Sequence, residues 1–403
     1  MIYRLIVILA GIVLIQIFSV MQELNDLPEN NRNSMENPGL RLFLCGDVMT
    51  GRGVDQVMPH SVDPRIYESY VKDARDYVRL AERKHGNIED PVSYEYIWGD
   101  AMEVWNRFDP VFKIINLETS VTDDGDPWPG KGIHYRMHPC NTKLLSTAGI
   151  DFCSLANNHV LDWGLEGLSE TLQSLESEGV TTAGAGKDLN EARKPAVLSK
   201  NSHRVVVFSY ATPTSGVLRS WAATPEKPGL NLLDLHGKNA IDRINQQIQS
   251  IKQPGDVVVF SVHWGDNWGY EVPRRQRKFA RRLIDDGGVD IVHGHSSHHI
   301  RGIEVYKDKL ILYGAGDFLN DYEGISGHEQ YRDDLTLMYF PNIDPSTGEL
   351  LSMKMVPMQI RNFSLRHTEE KDAQWLLSTL NREVTMSGTR IELNEDGTYS
   401  LHW

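Results

Sequence analysis

The stretch Val289-Asp290-Ile291-Val292-His293-Gly294-His295-Ser296-Ser297-His298-His299 constrains this chain more than any other. Its first four residues suit a buried strand, and a glycine set among imidazoles follows at once. α/β folds place their chemistry where the C-terminal end of such a strand opens into a crevice. Imidazole is a common metal ligand and titrates nearest neutral pH, so histidines at a strand end point to metal binding or proton transfer. Taken alone, the tract is equally compatible with a polar turn that is merely rich in histidine.

The arrangement recurs along the chain. Arg41-Leu42-Phe43-Leu44-Cys45 reads as a strand ending in Gly46-Asp47, and Val111-Phe112-Lys113-Ile114-Ile115 as one ending in Asn116-Leu117-Glu118. Asp151-Phe152-Cys153-Ser154-Leu155 runs into Ala156-Asn157-Asn158-His159. Asp256-Val257-Val258-Val259-Phe260-Ser261-Val262 runs into His263-Trp264-Gly265-Asp266. A single Gly-Asp is also a common turn. Five strands that each end in a potential ligand are harder to scatter, because parallel strands of one sheet gather their C-terminal ends at one edge. Asp47, Glu118, Asn158, His159, His263, His295 and His298 are therefore expected together. Carboxylate, amide and imidazole without thiolate suit one or two divalent ions such as Zn, Mn or Fe. Two ions sharing a carboxylate would acidify a bridging water and clamp a phosphoryl or similar oxyanion.

Between these strands, residues 66–107 read as largely helical, and Asn141 as the cap of a helix reaching Ala148. Further helices are expected over 165–178, 237–252 and 273–286, and strands over 180–183 and 204–210. The 273–286 helix carries Arg274, Arg275, Arg277, Lys278, Arg281 and Arg282, which reads first as a solvated face and second as a polyanion contact. Residues 303–306 and 310–313 form a hairpin, and the tail ends in a helix near 373–381 and a hairpin near 390–402. The segment 127–139 holds Lys131 and Arg136 among aromatic residues; an exposed loop is the plain reading and an anionic-substrate loop the other.

A chain of 403 residues can bury one large domain or two ordinary ones. Its net charge of −14 argues against nucleic acid as a partner. Cys45, Cys140 and Cys153 are odd in number and follow no zinc spacing, so no disulfide framework is indicated. At the N-terminus, Arg4 precedes an uncharged apolar run over 5–21, near the lower end of the roughly 17–25 residues a spanning helix needs. No small-x-small cleavage site follows, which favours an uncleaved signal-anchor over a removed peptide. Glu23, Asp26 and Glu29 lie beyond the run, so the positive-inside rule puts the body outside the cytoplasm, as a single-pass cell-membrane protein. Residues 22–39 read as a polar linker, 40–362 as the main domain, and 363–403 as a C-terminal helix and hairpin packed on or appended to it.

The ordered series Gly46-Asp47-Val48-Met49, Asn116-Leu117-Glu118, Ala156-Asn157-Asn158-His159, His263-Trp264-Gly265 and Gly294-His295-Ser296-Ser297-His298 resembles the CapA family. These are bacterial capsule synthesis, or poly-γ-glutamate biosynthesis, proteins of the calcineurin-like metallophosphoesterase superfamily. The resemblance runs from about Leu40 to Tyr322 and includes Gly314-Ala315-Gly316-Asp317-Phe318. It implies an α/β metallophosphoesterase-like four-layer sandwich, two mixed β-sheets flanked by helices. By position it implies Asp47 and His298 on one metal, Glu118 bridging, and Asn158, His263 and His295 on the other. His159 would then donate a proton to the leaving group, and Lys131 and Arg136 would meet substrate. Four departures stand out: Met49 where the superfamily has a histidine, Glu118 for aspartate, two residues between His295 and His298, and Asp317 where the family has asparagine. Thioether is a poor ligand for hard ions, so Met49 weakens one of the two metal positions.

Two functions are expected on this footing. One is an anchored extracytoplasmic metal-dependent hydrolase acting on a phosphoester or on an amide or ester of an anionic polymer. The other is a non-catalytic membrane component that assists polymer synthesis or export beside other capsule-synthesis membrane proteins. A cytosolic phosphatase with a misread anchor is a third.

Overall fold

β-branched and aromatic residues fill the runs that become strands, and alternation along those runs decides what each face meets. The computed structural model describes residues 39–237, 239–383 and 389–403. The chain begins with β1 (Leu40–Val48) and passes through helices α1 (Arg75–His85) and α2 (Ala101–Phe108) to β2 (Phe112–Leu117) and β3 (Phe152–Ser154). Helix α3 (Gly164–Ser177) leads to β4 (Thr181–Ala183), then β5 (Ala196–Lys200) and β6 (His203–Ala211). Next come α4 (Ala240–Ile251), β7 (Asp256–His263), α5 (Arg274–Gly287), β8 (Ile291–His295) and the hairpin of β9 (Ile303–Tyr306) and β10 (Lys309–Leu312). Strand β11 (Asp317–Leu319) precedes a long hairpin, β12 (Leu335–Ile343) and β13 (Leu350–Arg361). The tail adds β14 (Ser364–His367), α6 (Glu370–Glu383), β15 (Arg390–Leu393) and β16 (Tyr399–His402).

Two large mixed sheets result. The first runs β15-β16-β13-β12-β1-β2-β3-β4, with β11 also paired to β1 and β14 to β13. The second runs β9-β10-β8-β7-β6-β5. Its four inner strands are parallel, while β9 and β5 close the edges antiparallel. The body is thus mixed α/β, several sheets flanked by helices, and the tail strands belong to the first sheet.

Period-two alternation in the second sheet explains where the site lies. Val206, Phe208, Val258, Phe260, Val262 and Val292 bury themselves against Ile241, Ile244 and Ile248 of α4 and Phe279, Ala280 and Leu283 of α5. Each fully buried side chain of this kind stabilises the fold by about 1.5–3 kcal/mol. The intervening residues face the first sheet. Ser209 Oγ lies 2.6 Å from Ser154 Oγ, and His293 Nε2 lies 2.6 Å from the Cys45 carbonyl oxygen. Ser261, His263 and His295 share that face. The first sheet packs its own core around Phe43, whose ring meets Trp105 edge-on at 5.1 Å.

Several expectations are corrected. Residues 66–107 are not one helical region: α1 stops at Gly86, whose φ of 97° suits glycine, and α2 starts only at Ala101. Asn141 does not cap a helix; it sits inside a 3₁₀ turn (Pro139–Thr142), and its side chain donates to Asp55 at 3.0 Å. The ligand-bearing strand ends do not come from one sheet: β1, β2 and β3 belong to the first, β7 and β8 to the second. Cys45 and Cys153 are buried thiols and Cys140 is exposed. No helix among the described residues is long and apolar enough to cross a membrane, and the expected anchor and nearly all of the linker lie outside those residues.

The approach of β1 to residue 316 is so close that a Cβ on Gly46 would sit 1.6 Å from the Gly316 carbonyl oxygen. Backbone cannot yield as a flexible side chain can. Gly46→Ala should therefore lower stability by at least about 1–3 kcal/mol, read as a lower urea midpoint. Gly132→Ala, where nothing lies within 4 Å, should stay within about 0.5 kcal/mol of the parent.

Candidate metal centre and proton-transfer site

The strand ends meet between the two sheets. Asp47, next to last in β1, is fully buried; its Oδ1 accepts from Asn116 Nδ2 at 2.7 Å and its Oδ2 from the Ser296 amide at 3.0 Å. Ser296 holds a φ of 100°, and this strained turn just past β8 aims its N–H at the carboxylate. His263 Nδ1 and His295 Nδ1 stand 2.9 Å apart, at 3.9 and 3.7 Å from Asp47 Oδ1. Among the described residues, Asp47, His263 and His295 form a group whose ligand atoms all lie within 4.8 Å of one another.

Around this group the contacts continue. His263 Nε2 lies 2.8 Å from Asn158 Oδ1 and 3.7 Å from Glu118 Oε1. His295 Nε2 lies 2.8 Å from Ser261 Oγ. One consistent set of protons runs from the Ser261 hydroxyl to His295 Nε2, from His295 Nδ1 to His263 Nδ1, and from His263 Nε2 to Asn158. Glu118 Oε2 is buried and has no hydrogen-bond partner.

Burial and the neighbouring Asp317 carboxylate push Asp47 up to about 7 against the opposing contact with Glu118, while burial, Asp47 and Asp317 push Glu118 well above its usual range, so the two acids together favour sharing a proton. His263 and His295 are pushed down by burial and by neighbouring imidazoles, which keeps both neutral and able to ligate. An unpartnered buried carboxylate oxygen, a proton-sharing acid pair and two neutral imidazoles fit a divalent cation. Asp47, His263 and His295 would hold it, with Glu118 and Asn158 alongside.

His159 sits at the rim. Its Nδ1 is 2.6 Å from Asp162 Oδ2 and 3.1 Å from Lys131 Nζ, and its Nε2 is 3.8 Å from Glu118 Oε1. A carboxylate can only accept, so the ring donates Nδ1–H to Asp162 and turns Nε2 inward. Burial and the Lys131 ammonium push its pKa well down. At rest the ring is neutral and Nε2 is an acceptor, so it must take up a proton before it can give one. Asn157 shapes the same turn, its Oδ1 accepting from the amides of His159 and Val160 at 3.1 and 3.0 Å.

Three expected residues are placed differently. The Lys131 ammonium donates to Asp162 and to the Asn158 carbonyl, with His159 Nδ1 beside it. Arg136 lies with its guanidinium 3.6 Å from the Trp163 ring centroid and donates to the Asp63 carbonyl at 3.2 Å. It has no contact with the acid–imidazole group. His298 is outside that group too, its Nδ1 3.0 Å from Asp317 Oδ1 and its Nε2 2.9 Å from Asn267 Nδ2.

A cleft of about 490 Å³ opens beside His298 and is lined by Arg52, Asn267, Trp268, Asn320 and Tyr322 among others. A larger groove of about 870 Å³ between α3 and β5 carries none of the expected residues. Ser261, Asp162 and Arg52, unmarked in the sequence, complete the site together with Asp317, which the sequence marks only as a departure from the resembled family. Arg52 is buried, donating to Asp321 at 3.1 Å and Glu68 at 2.8 Å. Asp162 follows His159 by three residues, a spacing that could have marked it.

The bacterial capsule synthesis protein model PGA_cap matches residues 41–322, a span holding all of these groups. A "probable polyglutamine synthesis accessory protein" of Mycobacterium tuberculosis (strain CDC 1551 / Oshkosh) is 44% identical over 357 residues, 88% of this chain and 94% of that one. The "PGA biosynthesis protein CapA" of Bacillus subtilis (strain 168) is 28% identical over 303 residues, 74% of this chain and 67% of that one. The "capsule biosynthesis protein CapA" of Bacillus anthracis is 26% identical over 287 residues, 71% and 61% of the two chains. This chain belongs to the bacterial capsule synthesis protein family.

Proposed function

We propose that this protein is a membrane-anchored, extracytoplasmic CapA-like accessory protein of capsule or poly-γ-glutamate production, and that its site is a metal-dependent hydrolase with a metallophosphoesterase-like four-layer fold. The observation that carries the reading is buried charge: Asp47 and Glu118 face each other out of water, with one Glu118 oxygen unpartnered beside neutral imidazoles. A bound Mn, Zn or Fe ion would acidify water and polarise a phosphoester or a polymer amide or ester. His159, oriented by Asp162, carries the proton between the reacting groups and solvent. The anchor and orientation rest on the apolar run 5–21 with Arg4 before it and acids after it. Other capsule-synthesis membrane proteins are the proposed partners. A rival, non-catalytic role in polymer synthesis or export is favoured by Met49, which stands where the superfamily supplies a metal-binding histidine.

Elemental analysis of the purified protein, with turnover of phosphomonoester and phosphodiester substrates in Mn²⁺, separates these readings. The hydrolase predicts bound divalent metal, lost in Asp47→Ala and His295→Ala. It also predicts a fall in turnover of about 10²–10⁴-fold in His159→Ala with metal retained. Metal without turnover on any ester or amide tested supports the rival, and no metal at all defeats the hydrolase.

Buried acids also set a pH dependence. A raised carboxyl pKa means that the folded state keeps a proton the unfolded chain has already lost, so stability falls as pH rises toward that raised value. Asp47 and Asp55 are both pushed up to about 7 by burial. The depressed histidines act the other way, but only below about pH 6.5, where the unfolded imidazole takes up its proton. Between about pH 6.5 and 8 the carboxyl effect is joined only by that of His298, whose raised pKa has the same sign and also makes stability fall as pH rises. Chelator-treated protein should melt lower at the upper end of that window, and saturating Mn²⁺ should remove much of the fall. A melting temperature flat across the window in chelator would contradict the buried-charge argument.

A further inference from the structure

We infer that this chain holds one metal ion, at Asp47, His263 and His295, and that an Asp317–His298 pair fills the place of a second ion and grips a substrate oxyanion from the cleft. The inference rests on reading the site as a metal-dependent hydrolase and makes that reading specific.

Three observations carry it. Met49 is buried, and its sulfur accepts from the Tyr322 hydroxyl at 3.6 Å, so that corner offers a thioether already engaged by a phenol. His298 is not among the described residues whose ligand atoms cluster within 4.8 Å. Both oxygens of Asp317 are occupied by side chains on the cleft side, Oδ1 by His298 Nδ1 at 3.0 Å and Oδ2 by Asn320 Nδ2 at 2.9 Å. A carboxylate used in this way orients a histidine rather than binding a cation itself.

The pairing follows from the sheet. Asp317 opens β11 as the register partner of Asp47 in β1, so its carboxylate rises beside the metal group while its histidine leans away. The other nitrogen of His298 reaches Asn267, which is exposed and lines the cleft with Tyr322. An anion entering there meets the Nε2–H edge of the charged His298 ring and the Asn267 amide, which turns from His298 Nε2 onto the anion. Burial alone would push His298 down, but Asp317 and Asp47 outweigh it and hold the ring toward its charged form. Asp333 also lines the cleft; burial and the neighbouring Asp317 and Asp334 push it up to about 7, so it opposes an incoming anion only in part. The oxyanion is a phosphoryl group or a polymer carboxylate.

The test combines metal counting with anion binding. Protein saturated with Mn²⁺ or Zn²⁺ and then desalted should carry one ion per chain, with the same count in His298→Gln and Asp317→Asn and none in His295→Ala. Calorimetric titration of the metal-loaded protein with inorganic phosphate, and separately with glutamate, tells a phosphoryl site from a carboxylate site. The favoured anion should bind at least about tenfold more weakly to His298→Gln and Asp317→Asn, the loss expected for a hydrogen bond to a charged group. Should either variant fail to fold, Asn267→Ala, on the exposed side of the same contact, should weaken the anion while keeping the ion. Two ions in the parent, one of them lost in His298→Gln, would overturn this inference and leave the hydrolase reading standing. No ion in the parent would overturn the hydrolase reading itself. An ion with affinity for neither anion would overturn the oxyanion role.

Discussion

Three carboxylates, those of Asp47, Glu118 and Asp317, are buried in one place between two sheets, each at most 1% exposed. Removing such charges from water costs several kcal/mol per ion unless something compensates. The neighbouring cations are committed elsewhere: Arg52 to Asp321 and Glu68, Lys131 to Asp162. That leaves His298, which pairs with Asp317; His298 and Lys131 act on Asp47 and Glu118 only from further off, and no ion pair to a described lysine or arginine is formed by either acid. A shared proton or a bound cation must answer them. The buried acids are therefore a cost that the hydrophobic faces of both sheets offset, and the function proposed above follows from that debt of charge.

Two sheets rather than one deliver these groups, and this changes what holds them. Within a single sheet the spacing of strands would fix the ligands. Here it depends on how the sheets meet, through contacts such as Ser154 with Ser209 and His293 with the Cys45 carbonyl. Small residues make the meeting close enough. A Cβ on Gly184, just past β4 of the first sheet, would fall 2.2 Å from Ser209 Oγ in β6 of the second. The positive φ of Ser296 is a local strain tolerated because its amide is then spent on Asp47.

Much of this was legible in the sequence, because apolar runs ending in Asp47, Glu118, Asn158, His263 and His295 carry both the strand and the ligand in one local signal. What escaped lacked such a signal. Ser261 looks like an ordinary small residue inside a strand, and only the parallel register of β7 beside β8 puts it on His295. Asp317 stands out in the sequence only as an aspartate where the resembled family has asparagine; its place beside the site comes from its register with Asp47 in a three-residue strand. The hairpin of β12 and β13 has no strand signal in the sequence, because its buried residues form no regular alternation through Pro341 and Pro357. Lys131 and Arg136 stand in a cationic, aromatic loop that the resemblance turns toward substrate, and neither position nor charge tells a substrate contact from a cation held by its own neighbours.

Ser261 shows how the site can serve with and without a cation. In the hydrogen-bonded chain described above, the hydroxyl donates to His295 Nε2 and the His295 Nδ1–H points at His263. For His295 to offer Nδ1 as a ligand, its proton must move to Nε2, and the group facing Nε2 must change from donor to acceptor. A hydroxyl does both by rotating about one bond; a carboxylate can only accept and an ammonium can only donate. His263 needs no such change, since its Nε2–H stays on Asn158 while Nδ1 is already a lone pair. One rotatable hydroxyl on the inner face of β7 thus lets two buried imidazoles exchange a proton-linked pairing for a ligand pair.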